Sequence, residues 1–116
     1  MISGDVMRGF NDLLILSLLS KEDSYGYRIS QSIKDASGGL YVMKETTLYS
    51  AFNRLEKNGL IASYASSETF GKPRTYYRIT ADGLDIYMKK LVEWEQVKHI
   101  IDRFTKEEEK QNGHHS

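Results

Sequence analysis

Residues 46–80 have the sequence TTLYSAFNRLEKNGLIASYASSETFGKPRTYYRIT, and this stretch decides the fold. Its first part predicts a helix, because apolar residues recur at i, i+3, i+4 and i+7. The Asn-Gly pair at 58–59 is typical of a left-handed helix stop. Two runs, 60–67 and 74–80, contain β-branched and aromatic residues and predict a hairpin, whose turn at 68–73 contains the only proline. The apolar helix positions are Leu48, Ala51, Phe52 and Leu55.

The other face of this helix is polar, as it is in a helix that enters the major groove of DNA. Asn, Ser, Thr and Arg side chains can contact base edges there. At the hairpin tip, Lys72 and Arg74 could lie against phosphates or reach into the minor groove. Residues 44–80 carry six Lys or Arg against three acidic residues, a net charge of +3 in a chain that is neutral overall. The same pattern also fits a helix packed on a hairpin with an ordinary polar surface.

Short motifs follow one another in a fixed order along nearly the whole chain. They are YGY at 25–27, TLY at 47–49, RLE at 54–56, GLI at 59–61 and GKPRTYY at 71–77, followed by Thr80, Gly83 and Trp94. Each motif is weak alone, but the ordered set resembles the PadR-like transcriptional regulators. The resemblance implies a dimeric winged-helix repressor that binds double-stranded DNA.

Bulk composition indicates one ordinary globular domain. The chain has 116 residues, of which 40% are hydrophobic and 28% charged, and its sixteen basic and sixteen acidic residues cancel. The absence of cysteine excludes disulfides and thiolate chemistry and fits a reducing cytosol. The longest apolar run, 13–19, is too short to span a bilayer, and no basic-then-apolar leader precedes it. We therefore expect a soluble, cytoplasmic protein.

The segments before residue 46 predict a loose arm at 1–8, a helix at 9–20, a helix at 25–37 and a short edge strand at 40–43. The helix at 9–20 is apolar nearly all round, which predicts burial on more than one side. Either a partner subunit covers its second face or it is simply a central core helix. Gly26 lies in the first turn of the next helix, where we expect close packing.

The predicted DNA contacts cover the winged helix from its second helix to its wing. Tyr27 and Arg28 could contact a phosphate, although Tyr27 is more readily explained as partly core. The backbone N–H groups at the start of this helix favour a phosphate oxygen. Lys44 is a poor helix cap, whereas Thr46 and Thr47 are both reasonable caps. The predicted DNA-contact residues are Tyr27, Lys44, Thr46, Thr47, Tyr49, Ser50, Asn53, Arg54, Lys57, Lys72 and Arg74.

A last helix is predicted from Ala81 to about Glu109, with Thr80 as its cap. At ~1.5 Å per residue it is roughly 40 Å long, so it projects beyond a compact domain and needs another chain to cover its apolar stripe. The stripe residues are Leu84, Tyr87, Met88, Leu91, Trp94, Ile101 and Phe104. The expected architecture is mainly α with a small β-hairpin (α+β): a winged helix-turn-helix at 1–80, a dimerisation helix at 81–110 and a flexible tail at 111–116. We expect the first and last helices to form a homodimer.

Trp94 lies on this stripe, where two copies would approach each other across a twofold axis. It could plug the interface or stack against a planar ligand. Resemblance to the small, multidrug-sensing branch of the family implies the latter, since a matching Trp there lines a pore for aromatic, often cationic, compounds. Lys98 departs from that branch, which has an acidic residue at this place. A basic group repels cations and could pair with an anionic aromatic compound instead, and Asp102 could partly offset the charge of Lys98. The predicted companions of Trp94 are Leu13, Ser17, Tyr87 and Lys98.

Catalytic and metal sites are not predicted. His99 is expected to be solvated, and His114 and His115 lie in a polar stretch without paired ligands at metal-binding spacing. The sequence contains no phosphate-cradling glycine motif and no nucleophile elbow. We therefore expect no enzyme activity and no cofactor. The leading hypothesis is a homodimeric repressor of a pseudo-palindromic operator; the alternative is a winged-helix adaptor for protein contacts, without sequence-specific DNA binding.

Overall fold

Five helices and three strands follow one another along the chain in the computed structural model, which describes residues 1–67 and 72–115, with side chains up to Lys106. The predicted turn residues 68–71 lie outside this part. The helices are α1 (Gly4–Met7), α2 (Asn11–Lys21), α3 (Gly26–Ala36), α4 (Glu45–Lys57) and α5 (Ala81–His115). The strands are β1 (Ser24–Tyr25), β2 (Ile61–Ser66) and β3 (Arg74–Ile79). The predicted fold class, mainly helical with a small antiparallel sheet, is confirmed.

The sheet has the order β1-β3-β2, and both pairings are antiparallel. The hairpin of β2 and β3 lies where the sequence predicts it. Tyr76 is the centre of the ladder, because it is opposite Tyr25 on one side and Tyr64 on the other. The third strand therefore comes from the two residues before α3.

The predicted edge strand at 40–43 is wrong. The side chains of this segment alternate as they do in a strand: Tyr41 and Met43 are buried, whereas Leu40 and Val42 are exposed. It does not join the sheet, since the carbonyl of Leu40 accepts a hydrogen bond from the backbone of Ile2 instead.

The core lies between α2, α3, α4 and the sheet. Ile15 and Leu16 of α2 and Phe52 of α4 are completely inaccessible to solvent. Phe52 stacks on Tyr77 of β3, with 4.0 Å between ring centroids, and burial raises the pKa of the Tyr77 hydroxyl. The polar face of α4 is therefore held outward, because its apolar face is fixed in the centre of the core.

α2 has one buried face and one partly open face. Ile15, Leu16 and Leu19 are buried and the half-buried Leu18 packs against the core, whereas the half-buried Leu13 does not belong to the core cluster. The open face is available for further packing, so both explanations of its apolar composition stand.

Two helix starts differ from each other in how they are capped. α4 begins after Lys44, which makes no side-chain capping bond, so neither Thr46 nor Thr47 is the cap. α5 begins after Thr80, whose Oγ1 accepts a hydrogen bond from the backbone N–H of Gly83 at 3.0 Å, as predicted.

The end of α4 is also where the sequence predicts it. Gly59, with φ of 75°, provides the predicted left-handed stop after this helix.

α5 is the longest element and projects from the winged helix. Its 35 residues correspond to roughly 50 Å, and the chain extends 66 Å along its longest axis. The radius of gyration is 17.6 Å, well above the about 13 Å of a compact chain of ~100 residues. The helix continues to His115 rather than ending near Glu109, so residues 111–115 are helical where the sequence predicts a flexible tail. The division into a winged-helix domain and a dimerisation helix stays a proposal.

Within the described residues, no helix combines the length and the apolar character needed to cross a lipid bilayer.

Candidate nucleic-acid interface

The two faces of α4 are cleanly separated. The apolar residues are at most 2% exposed: Leu48, Ala51, Phe52 and Leu55. Four of the predicted DNA contacts form the exposed opposite face: Thr46, Ser50, Asn53 and Lys57. This face carries hydrogen-bonding groups of the kinds that contact base edges and phosphates.

The start of α4 is open to an anion. Because Lys44 makes no capping bond, the first backbone N–H groups of the helix have no side-chain partner from the cap, and they favour negative charge. Lys44 and Thr46 are exposed here and Thr47 is half-exposed. A shallow cavity of about 280 Å³ runs along this edge. Its lining is Arg8, Asn11, Thr46, Thr47, Ser50, Ala51 and Arg54.

Arg54 is engaged within the chain. Its two terminal nitrogens donate to the two carboxylate oxygens of Asp12 at 2.5 and 2.9 Å, which ties α4 to α2. These hydrogen bonds raise the pKa of the Arg54 guanidinium. Arg54 is therefore less available for DNA than its place on the helix suggests. The two residues are 42 positions apart, and no sequence pattern links them.

Two tyrosines, one on α3 and one on α4, lie near the contact between these helices. Tyr27 is 68% exposed, so the expectation that it is partly core is wrong, and its phosphate contact stays a prediction. The ring of Tyr49 covers Gly26, where an added Cβ would lie 2.9 Å from the ring carbon Cζ and closer still to the hydroxyl. This contact confirms that Gly26 is closely packed.

The wing residues differ in their freedom. Lys72 is exposed. Arg74 is half-buried, and its guanidinium carbon lies 4.5 Å from the ring centroid of Tyr25. Tyr25 is thus a neighbour of Arg74 that the sequence did not predict, because the β1–β3 pairing brings the two residues together.

The predicted ligand residues are partly brought together. Tyr87 and Ser17 are joined by a hydrogen bond of 3.2 Å between their hydroxyls, at the contact of α5 with α2. Trp94 is half-buried against Phe10 of its own chain, edge to face, with ring centroids 5.3 Å apart. Leu13 is half-buried on α2.

Lys98 forms an ion pair within α5. Its Nζ is 3.1 Å from the carboxylate of Glu95. Asp102 pairs with Lys106 at 3.7 Å. The partial offset expected from Asp102 is therefore supplied by Glu95.

The family model of the PadR-like transcriptional regulators matches residues 15–89, which is more than half of the chain. The chain belongs to this family. The matched region thus runs from within α2 to the first turns of α5 and includes α3, α4 and the hairpin.

Solved structures of similar proteins agree with this membership. A transcriptional regulator from Clostridium thermocellum is 56% identical, with a TM-score of 0.82, over 90% of this chain and 99% of that one. A PadR family regulator from Clostridium difficile is 37% identical, with a TM-score of 0.72, over 80% and 95% of the two chains. PadR of Bacillus subtilis, solved with operator DNA, has the same fold at 23% identity and a TM-score of 0.62, over 70% and 46%.

Proposed function

We propose that this PadR-like regulator binds DNA sequence-specifically and acts as a homodimeric repressor of a pseudo-palindromic operator. The observation that carries the proposal is the exposed polar face of α4, held outward by a fully buried apolar face. PadR of Bacillus subtilis, which shares the fold, was solved on its operator. A winged helix with such a face can lie in the major groove while the wing contacts the backbone.

The exposed residues have distinct roles in this proposal. Thr46, Ser50 and Asn53 contact bases or flanking phosphates, since they carry short donors and acceptors on the outer face. Lys57 and Lys72 contact phosphates, because a flexible ammonium group is a point charge that fits any sequence.

Dimerisation is supported by the apolar surface of α5. Phe104 is 77% exposed and Met88 and Val92 are each 59% exposed, which is unusual for large apolar side chains on one helix. The exposed apolar residues of α5 are Leu84, Met88, Val92, Val97, Ile100, Ile101 and Phe104. A twofold-related copy of α5, together with the open face of α2, would cover this surface.

A twofold dimer would contact two half-sites about one helical turn apart, or a multiple of it. Hydroxyl-radical footprinting on DNA from upstream of the protein's own gene tests this directly. We expect two protected patches related by a twofold axis. A single patch, or protection without symmetry, would contradict the dimeric operator complex.

The proposal includes an effector: a planar aromatic molecule that binds beside Trp94 and changes the angle between the two winged helices. Such a ligand must have different affinities for the DNA-competent and released states. The half-buried ring of Trp94 and the adjoining hydroxyls of Ser17 and Tyr87 support it. Lys98 favours an anionic compound, although its pairing with Glu95 weakens this preference.

Tryptophan emission measures effector binding without ambiguity, because Trp94 is the only tryptophan. We expect a saturable change with some members of a panel of planar aromatic acids, amines and neutral compounds. Unchanged emission across the panel would indicate a purely structural role for Trp94. Ligands that change the emission should also release DNA.

A further inference from the structure

The N-terminal arm, residues 1–8, borders a cavity beside the start of α4. The backbone N–H of Ile2 donates to the carbonyl of Leu40 at 2.7 Å, which ties the arm to the segment before α4. The cavity, which we call the arm cavity, has a volume of about 570 Å³, within the range of small-molecule sites. Besides residues of the arm, its lining is Asn11, Tyr41, Val42, Lys44 and Thr47.

Asn11 places a buried amide group on this cavity. The residue is only 6% exposed, and its Oδ1 accepts a hydrogen bond from the Tyr41 hydroxyl at 2.7 Å. Burial raises the pKa of that hydroxyl, so it stays protonated and keeps donating. The amide nitrogen, Nδ2, has no hydrogen-bond partner within the described residues. A buried donor without a partner is costly, so Nδ2 favours a ligand that can accept its hydrogen bond.

The same amide also reaches a second cavity. Asn11 lines the shallow cavity of about 280 Å³ along α4, and Arg8 and Thr47 line both cavities as well. The two cavities therefore adjoin at Asn11, next to the first turn of α4.

The charges around the arm cavity favour a single negative charge. Arg8 and Asp5 pair with each other at 2.5 Å, so their charges largely cancel. Lys44 is exposed and has no ion pair within the described residues. It precedes α4, whose first backbone N–H groups have no side-chain partner from the cap. One unpaired ammonium group beside a helix start suits a monoanion better than a multiply charged ligand.

The arm cavity also has an apolar side. Ile2 is 39% exposed and Val42 is 43% exposed, and both line the cavity. They belong to the two backbone segments that the hydrogen bond between Ile2 and Leu40 joins. Covering such side chains removes apolar surface from water, which stabilises a ligand with an aliphatic body.

We propose that the arm cavity binds a small molecule with one carboxylate and a short aliphatic body, and that this ligand competes with DNA for the start of α4. The carboxylate accepts from Nδ2 of Asn11, from Lys44 and from Thr47, while the body covers the apolar side. The competition rests on the proposed function, whereas binding to the free protein does not. The site is distinct from the one proposed beside Trp94, because no residue of α5 is in the described lining.

The test is an amide proton–nitrogen correlation NMR spectrum of the isotope-labelled full-length protein, titrated with sodium hexanoate at constant ionic strength. The side-chain amide signal of Asn11 is assigned by its absence from the spectrum of Asn11→Asp. We expect this signal and the backbone N–H signal of Thr47 to shift saturably. Acetate, which lacks the aliphatic body, should bind at least about fivefold more weakly. Hexylammonium, which reverses the charge, should leave the Asn11 signal unchanged.

Two variants test the carboxylate contacts. Asn11→Asp keeps an oxygen that can accept from the Tyr41 hydroxyl but replaces the open donor with a second oxygen. Its like charge should lower hexanoate affinity at least about tenfold. Lys44→Gln should lower it about three- to tenfold, and it decides even where Asn11→Asp fails to fold, since Lys44 is exposed. Lys89→Gln, the same change at an exposed position of α5, is the charge-matched control and should stay within about twofold of the wild type.

Two results would overturn the carboxylate site. Equal shifts of the Asn11 signal with hexanoate and with sodium chloride would show an adventitious ion only. Equal hexanoate affinities of Lys44→Gln and Lys89→Gln, or an Asn11 signal that hexanoate does not shift, would place any binding elsewhere.

The competition with DNA is tested separately by fluorescence anisotropy on a random-sequence duplex. At saturating hexanoate, the wild type should bind the duplex at least about threefold more weakly than at the same ionic strength without it. Unchanged affinity would overturn the competition. If the wild type bound no DNA at all, the proposed function would fail, whereas the NMR titration would still decide the carboxylate site.

Discussion

Asn53 and Arg54 are adjacent on α4 but differ in what they contact. Asn53 is exposed on the outer face, whereas Arg54 gives a bidentate pair of hydrogen bonds to Asp12 of α2. A sequence pattern places both on or beside the polar face of the helix. It cannot show that one of them is engaged elsewhere, because that depends on how α2 packs against α4.

Neutralising Asp12 should increase DNA affinity. Asp12→Asn removes the carboxylate that pairs with Arg54 and makes the edge of α4 more positive, so we expect binding of random DNA to strengthen about two- to fivefold. Anisotropy at fixed salt measures the change. In an Arg54→Gln background, the same substitution should have a smaller effect; an equal effect would mean that released Arg54 is not its cause.

Gly83→Ala should destabilise the fold more than Gly26→Ala. A Cβ at position 83 would collide with the backbone carbonyl of Leu60 and lie 2.7 Å from Cγ1 of Ile79, and neither is the far end of a flexible side chain. We expect the free energy of unfolding to fall by about 2 kcal/mol or more. At position 26 the obstacle is the end of the Tyr49 side chain, which can move.

Urea denaturation of both glycine variants at one protein concentration measures this difference. Similar midpoints for the two variants would contradict the distinction between a backbone and a side-chain obstacle.

At the scale of elements, periodicity predicted the long helices and the hairpin. α4 and the β2–β3 hairpin lie close to their predicted positions, because an amphipathic helix and a turn with Gly and Pro give strong local signals. The third strand was assigned to the wrong segment. β1 has only two residues, too few for any alternation, whereas the alternating segment at 40–43 is not part of the sheet formed by the described residues.

The wing should contribute affinity without sequence preference. Lys72 is exposed beside β3, so Lys72→Ala should weaken operator and random DNA by the same factor and make the salt slope shallower by about 0.9. Parallel anisotropy titrations on the two duplexes measure this. A loss confined to operator DNA would assign Lys72 to base recognition.

At the scale of the whole molecule, the apolar stripe predicted for α5 is divided between two surroundings. Tyr87 and Trp94 contact α2 and Phe10 of the same chain. Leu84, Met88 and Phe104 are exposed. The sequence could predict that the helix projects and is apolar, but the division depends on the rotation of α5 against α2, which no local pattern specifies.

Phe104→Glu should shift the protein from dimer to monomer. A charge at this 77% exposed position would have to be buried at the proposed interface, where it would be strongly disfavoured. Sedimentation velocity over a concentration series should give a dimer dissociation constant at least about tenfold higher than that of the wild type. Thr105→Glu places the same group about 100° around the helix and is the control.

A monomeric wild-type protein, or equal effects of Phe104→Glu and Thr105→Glu, would contradict a dimer formed through this face.

The most direct test of the central claim, base recognition by the outer face of α4, is a competition anisotropy titration of the wild type and Asn53→Ala on upstream and random DNA. We predict that the wild type resists random competitor and that Asn53→Ala loses about five- to a hundredfold in preference for the upstream DNA while keeping its salt slope. Equal losses of affinity on both duplexes would contradict base contact by Asn53. If the affinity of the wild type depended on salt but not on DNA sequence, sequence-specific recognition would be contradicted.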